Sequence, residues 1–569
     1  MRRLPLAFMT LLTVAAMASP SGPASVAVSA KDPARDLPEV SIATLHRYYR
    51  EHRYSATEVV HWYLDRIHRY NGIYRAIETV FDQDALAAAA AVDAALAQGQ
   101  TPTGALWGVP MVIKANTSIA GTVTSAGWSG YTLPAHALIA PQDAPIVRRL
   151  KAAGAILLGH TNMPDLANSD TNRSSAFGRT GNAYDPRYSP GGSSGGTVTS
   201  VSGNLALLGN GTDTGNSIRM PAATSALIGV FPTRGLVSIA GIAPLDWLLD
   251  NTGPIARSVE DAAIALSVMA GEDAEDPVTL GSASQAQPGP YTRYLDPNAL
   301  RGKRFGVPAF VLQGIGIPFH GVPAYIPEAT AVARQVAAAL PLQTATRRVF
   351  EQSLNELRAQ GATIVSVDAL DASFARTASR IATYPYVREG TDRFLAAYGP
   401  TAYHSVAAYE QVTGQRGFEA VTGEESANRD FDAIHLTQAQ IASDPAFDAN
   451  VRLPRAHTLK LYNEALDRLH LDGLVYPAIQ MPPMDESLPQ DGRLSEGPHS
   501  ATGWVNMIGV PAVVVVGVPY ANGLPFGLEF SARRWHDGDL LGWAYAYEQA
   551  THHRHAPTLV TEGLISGAP

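Results

Sequence analysis

The chain has 569 residues, of which 46% are hydrophobic and 16% charged, proportions that exclude disorder, collagen-like repeats and a small disulfide-stapled scaffold. A formal net charge of -9 leaves no basic footprint of the kind nucleic-acid binding needs, so nucleic acid is not an expected partner. With no cysteine, disulfides, thiolate metal sites, cysteine nucleophiles and a lipid-modified N-terminal cysteine are all excluded.

In chain order, Arg2 and Arg3 precede an apolar run from Leu4 to Ala18. A charged start, a run too short to span a bilayer and small-residue sites ending at Ala18 and at Ala30 read as an export signal. Residues 1–30 are therefore expected to be removed or flexible, leaving a mature chain from about residue 31 with no membrane anchor, periplasmic or secreted. Ser55 with Glu58 forms a capping box that opens an amphipathic helix ending at Asn71-Gly72, and Asp84 to Gln98 is an alanine-rich helix stopped by Gly99. Leu106 to Ile113 reads as a buried strand, Pro145 to Ala153 as a helix, and Ala155 to Leu158 as the next strand. Between Ser169 and Ser225 the composition shifts to Gly, Ser, Asn and Thr, yet the apolar run Leu205 to Leu208 inside it predicts a core strand. Further strands are expected at Arg304 to Val307, Ala362 to Val367, Gly473 to Tyr476 and Pro511 to Val518, with a closing helix from Asp539 to Ala550. Residues near 311–346 and 401–451 read as insertions on an α/β scaffold. Alternating strands and helices place the chain in the α/β class with a parallel or mixed sheet.

Several chemistries are absent by inspection: there is no His-Glu-x-x-His pair, no Gly-Lys-Ser/Thr, and no lysine with a serine three residues before it. The run His552, His553, Arg554, His555 lacks companion ligands and reads as an exposed tail, so no metal is assigned. Only five lysines occur, and Lys114 directly follows the apolar run Val109 to Ile113. Taken alone, a strand-end lysine whose head reaches solvent is the plainer reading. A lysine buried there would instead be driven toward its neutral form, which is how a lysine becomes a base. Two glycine-rich segments bracket Leu205 to Leu208: Ser189 to Gly196, and Gly211 to Arg219. Pinned at a sheet edge, the N–H groups of Thr214, Gly215, Asn216 and Ser217 would form an anion-binding nest ahead of a serine, the arrangement acyl transfer needs.

These segments, with Leu106 to Pro110, Gly159 to Met163, Gly229 to Gly235 and Gly523 to Gly527, resemble the amidase signature family, a group that includes peptide amidases, fatty acid amide hydrolase and amidotransferase A subunits. The resemblance spans most of the mature chain. It implies a single α/β/α domain over residues 31–569 around a mixed, mostly parallel sheet of about eleven strands. It also implies a Ser-cisSer-Lys triad: Ser217 as nucleophile, Ser193 as bridging serine on a cis peptide bond, Lys114 as base, and the backbone of Thr214 to Ser217 as oxyanion hole. No cofactor is required. Asp213 and Arg219 are expected to brace the turn as an ion pair, Thr212 to position Lys114, and Trp128, Phe177 and Trp247 to line the substrate pocket, with Tyr131 beside them. Two positions depart from the family pattern, Ala115 where Asp is usual and Asn216 where Gly is common. The expected activity is hydrolysis of small-molecule or peptide carboxamides. Ester hydrolysis by the same residues and an inactive amide-binding relative are the alternatives, while transamidation of charged transfer RNA fits poorly with export and the acidic balance.

Overall fold

The computed structural model describes residues 31–100, 102–314, 321–337, 341–368, 370, 372–416, 436–486 and 498–557. The export signal expected in residues 1–30 lies outside them, as does part of each expected insertion. The core is one sheet of eleven strands flanked by helices. In chain order the strands are β1 Ile77–Val80, β2 Pro110–Lys114, β3 Ile156–Thr161, the separate two-residue pair β4 Arg173–Ser174 and β5 Gly178–Arg179, then β6 Leu208–Asp213, β7 Ile228–Phe231, β8 Asn251–Ala256, β9 Arg304–Pro308, β10 Thr363–Val367, β11 Gly473–Pro477, β12 Ala512–Val516 and β13 Gly527–Ser531. Their order across the sheet is β1-β3-β2-β6-β8-β7-β12-β13-β11-β9-β10.

The sheet is mixed, but not mostly parallel. Parallel pairing is confined to β3-β2-β6 and to β11-β9-β10, and the remaining six neighbour pairs are antiparallel. The reason lies in burial. A run such as Ala-Val-Val-Val-Val in β12 is buried at every position, and a strand covered on both faces reads as continuously apolar whichever way its neighbours run.

Local signals act largely as their chemistry dictates. The Ser55 hydroxyl accepts from Glu58 N–H while the Glu58 carboxylate accepts from Ser55 N–H, opening the helix Ala56–Tyr74. That helix does not stop at Asn71-Gly72; it ends on Arg75, in the left-handed region with φ 49°. The Asn71 side chain is used otherwise, bonding the N–H groups of Ala76 and Ile77 and the carbonyl of Ile77, so it fastens the helix to β1. The core strand expected at Leu205 to Leu208 instead starts at Leu208 and runs through the glycine-rich residues to Asp213. Leu205, Ala206 and Leu207 are buried ahead of it.

The His552 to His555 run is not a free tail. His553 lies 2.9 Å from the Glu356 carboxylate, and Arg554 meets both oxygens of Glu39 at 2.7 and 2.9 Å while donating to the carbonyl of Ala226. Among the described residues no helix is long and apolar enough to cross a membrane.

Candidate active site

Two glycines in β6 explain how a helix can lie directly on the centre of the sheet. A Cβ at Gly209 would come within 2.7 Å of Thr197 and 2.9 Å of Val112, and one at Gly211 within 2.9 Å of the Ser194 hydroxyl. The helix Gly195–Ser202 occupies that space, every residue of it buried. Its N-terminal approach carries Ser193 and Ser194, and the Gly192-Ser193 peptide bond is cis. Across from it β2 delivers Lys114, whose N–H is fixed by Asn210 Oδ1 at 2.9 Å.

Lys114 is fully buried, which overturns the solvent-reaching reading. Its Nζ lies 2.8 Å from Ser193 Oγ, 3.0 Å from Ser194 Oγ, 2.8 Å from Thr212 Oγ1 and 3.3 Å from the Thr212 carbonyl. No carboxylate is among these partners. Burial therefore dominates and lowers the lysine to about 7, against a weaker upward pull from Asp213 and Asp250. Asn116 donates to Thr212 Oγ1 at 3.1 Å and so fixes the hydroxyl that meets the lysine.

Ser217 sits in the turn between β6 and the short helix Arg219–Thr224. Its carbonyl accepts from Ser194 N–H at 3.2 Å, which holds this turn against the Ser193-Ser194 segment. The carbonyl of Gly215 is taken by Arg219 Nη2 at 2.8 Å and that of Asn216 by Met220 N–H at 2.7 Å. Among the described residues nothing accepts a hydrogen bond from the N–H groups of Gly215, Asn216 or Ser217. The turn thus ties its carbonyls away and leaves donors on the side of the serine, the polarity a developing oxyanion requires. The Thr214 hydroxyl donates to Asp250 Oδ1 at 2.5 Å. Burial raises Asp250 to about 6, partly offset by that hydroxyl.

Behind the turn, Asp213 and Arg219 form a fully buried ion pair at 3.1 Å. Arg219 also meets Glu529 Oε1 at 2.8 Å, the Thr502 hydroxyl at 2.9 Å and Asn506 Oδ1 at 2.5 Å. Asp213 in turn accepts from Ile218 N–H at 2.9 Å, so the arginine braces the turn through both its backbone and its carboxylate. Burial pushes Glu529 up to about 7 despite Arg219 beside it.

The structure therefore gathers Lys114, Ser193, Thr212, Asp213 and Arg219 around the turn that carries Thr214 to Ser217. The three expected pocket aromatics sit in three different surroundings. Trp128 packs edge-on against Tyr131 and beside Tyr409 in a buried aromatic cluster that also holds Ala115. Phe177 sits in the turn between β4 and β5. Trp247 lines a separate cavity that includes none of Lys114, Ser193 and Ser217. Asn216, the second departure, donates to Asp170 Oδ1 at 3.1 Å. Sequence reasoning assigned no role to Ser194 and Asn116, which neighbour Ser193 and Lys114, and missed Asp250, Asn506 and Glu529, which arrive from separate segments and carry no local signature.

A mixed α/β sheet that buries one lysine among serine and threonine hydroxyls, beside a donor-lined turn bearing a further serine, defines the class. The Amidase family model matches residues 58–317. The A subunit of the glutamyl-tRNA(Gln) amidotransferase of Symbiobacterium thermophilum is 31% identical over 538 residues, 92% of this chain and 99% of that one. The native peptide amidase structure from Stenotrophomonas maltophilia is 31% identical with a TM-score of 0.71, covering 91% of this chain and 98% of that chain. A bacterial aryl acylamidase shares the fold, with a TM-score of 0.70 at 23% identity over 93% of this chain and 99% of that chain. The chain belongs to the amidase family.

Proposed function

We propose that the chain is an exported serine amidase that hydrolyses carboxamides to an acid plus ammonia or an amine. The observation that carries this reading is the buried Lys114, held near neutrality with its Nζ 2.8 Å from Ser193 Oγ. In the proposed reaction the Ser217 hydroxyl attacks the amide carbonyl. Its proton passes to Ser193, whose own proton passes to the Lys114 amine. The free N–H groups of Gly215, Asn216 and Ser217, with Thr214 beside them, receive the negative charge that develops on the carbonyl oxygen. Lys114 returns the proton through Ser193 to the leaving nitrogen, the C–N bond breaks, and an acyl ester remains on Ser217. A water molecule repeats the sequence and releases the acid. No cofactor enters.

The likeness to peptide amidase over nearly all of both chains supports C-terminal peptide amides as the substrate class, with acyl and aryl amides next. Esters fit the same route. The arginine-flanked apolar start, with small-residue sites at Ala18 and Ala30, supports export to the periplasm or beyond. The curated amidotransferase relatives favour a second reading, in which glutamine is the preferred amide and ammonia is passed to a partner.

The deciding experiment measures ammonia and amine release by the purified chain and its Ser217→Ala variant over peptide amides, aliphatic amides, anilides, glutamine and matching esters. Release from peptide amides that vanishes in the variant supports the proposal. Release confined to glutamine overturns it for the second reading, and binding without turnover in the parent chain overturns both in favour of an inactive relative.

A further inference from the structure

A cavity of about 390 Å³ lies apart from Lys114, Ser193 and Ser217, between the segment that follows β7 and the helix Val387–Tyr398. Its size falls in the range of small-molecule sites. One wall is the aromatic set Trp247, Phe394 and Tyr398. Trp247 is seated by Gly390, where a Cβ would come within 2.4 Å of the indole, and by a hydrogen bond from its ring nitrogen to the Tyr386 carbonyl at 2.9 Å. Arg393 lies over the indole face at 5.3 Å.

The other wall holds Arg234, which is only 8% exposed. Its Nη2 donates to the Trp247 carbonyl at 3.2 Å, but its Nε and Nη1 are buried without a hydrogen-bond acceptor. A buried guanidinium with unmet donors is costly and asks for an anion or polar ligand. The two acidic residues of the cavity do not answer it. Asp276 stands 3.7 Å from Arg234 Nη1, beyond hydrogen-bond reach, and its oxygens take the N–H groups of Ile239 and Val278. Glu275 is engaged by Arg148 and by the Tyr398 hydroxyl. Behind Arg234 lie Arg455 and Arg534, which repel it, set against the carboxylates of Asp246, Asp250 and Asp537, so what Arg234 lacks is hydrogen-bond acceptors at Nε and Nη1.

We propose that this cavity is a second ligand site that takes a monocarboxylate bearing one aromatic ring, with the carboxylate on Arg234 and the ring against Trp247, Phe394 and Tyr398. A carboxylate matches guanidinium donors geometrically, and the aromatic wall selects a flat apolar body over a small inorganic anion. The site also touches the proposed chemistry from behind. The segment from Ile239 to Asp250 lines the cavity with Ile242, Pro244 and Trp247. On its other side the Ala243 N–H donates to the Asn116 carbonyl and Asp250 accepts from Thr214.

The test is calorimetric titration of the full chain with benzoate, with acetophenone as its neutral counterpart and with inorganic phosphate. Benzoate binding is expected at least tenfold tighter than either control. It should weaken at least tenfold in Arg393→Gln, which changes a half-buried rim residue, and in Ala240→Leu, which fills the cavity, and should persist in Ser217→Ala. Arg234→Gln should abolish it, with thermal melting to establish that this variant folds. No benzoate binding at millimolar concentration overturns the proposal. So does binding that survives both Arg393→Gln and Ala240→Leu, or that is lost in Ser217→Ala, since the ligand would then occupy the site at the turn. Acetophenone or phosphate binding as tightly as benzoate overturns the assigned ligand class.

Discussion

Lys114 and Arg219 are two fully buried basic side chains on either side of one turn, and they are accommodated in opposite ways. Lys114 meets three hydroxyls and a carbonyl, with no carboxylate in contact, and burial lowers it to about 7. Arg219 lies between Asp213 and Glu529, and their charges hold it above the ordinary arginine value despite its burial. Equal burial thus yields a group that can exchange a proton and a group that cannot. The partners decide which, and each residue type suits its task, since lysine titrates readily when desolvated and arginine does not.

The contrast can be broken from either side. Ser217→Ala should remove amide turnover by about 10⁴-fold or more, and Lys114→Met by about a thousandfold, both read in steady-state kinetics. Equal, mild losses in the two variants would sink the assignment of roles. Arg219→Met should act on stability, leaving Asp213 and Glu529 buried without their cation at a cost of about 3–5 kcal/mol in chemical denaturation. Lys114→Met should change stability far less, because it removes no ion pair.

A pH series sharpens the comparison further. If Lys114 must be neutral, kcat/KM rises with pH through about 7 and falls away on the acid side. In the unfolded chain the lysine keeps its ordinary value of 10.5, so between about 7 and 10.5 the unfolded state binds more protons than the folded one. Wild-type stability should therefore rise with pH over that window relative to Lys114→Met. A difference that stays flat would show that the lysine is charged in the folded protein. Smallest in effect, Thr212→Val removes one hydroxyl from the lysine and should slow turnover by about tenfold, the equivalent of roughly 1.4 kcal/mol, with melting unchanged within a few degrees.

What could be read from the sequence followed from covalent and local physics. An apolar run ending in lysine, a capping box at Ser55 and Glu58, and two glycine-rich segments all marked real features, although the strand between those segments begins only at Leu208 and runs into the second of them. The direction of the strands was hidden, since Ile228 to Phe231 and Ala512 to Val516 are buried on both faces and burial erases the alternation that would betray an antiparallel neighbour. The helix Gly195–Ser202 was hidden as well. Its Gly, Ser and Thr residues have weak helix propensity, and only the space left by Gly209 and Gly211 makes it fit. Asn506 and Glu529 reach Arg219 from some 290 and 310 residues away, a distance no local pattern spans.

The meeting of Arg554 with Glu39 bears on how this polypeptide could be rewired. A bidentate clasp between residues 515 apart in sequence makes the described chain nearly a closed ring. A short polar linker from Pro557 back to Lys31, with new ends opened in an exposed loop, should therefore yield a circular permutant that folds. Cutting the chain before Arg554 would instead strip Glu39 of its cation and release the carbonyl of Ala226, so a shortened protein should lose its grip on the first helices before the sheet itself gives way.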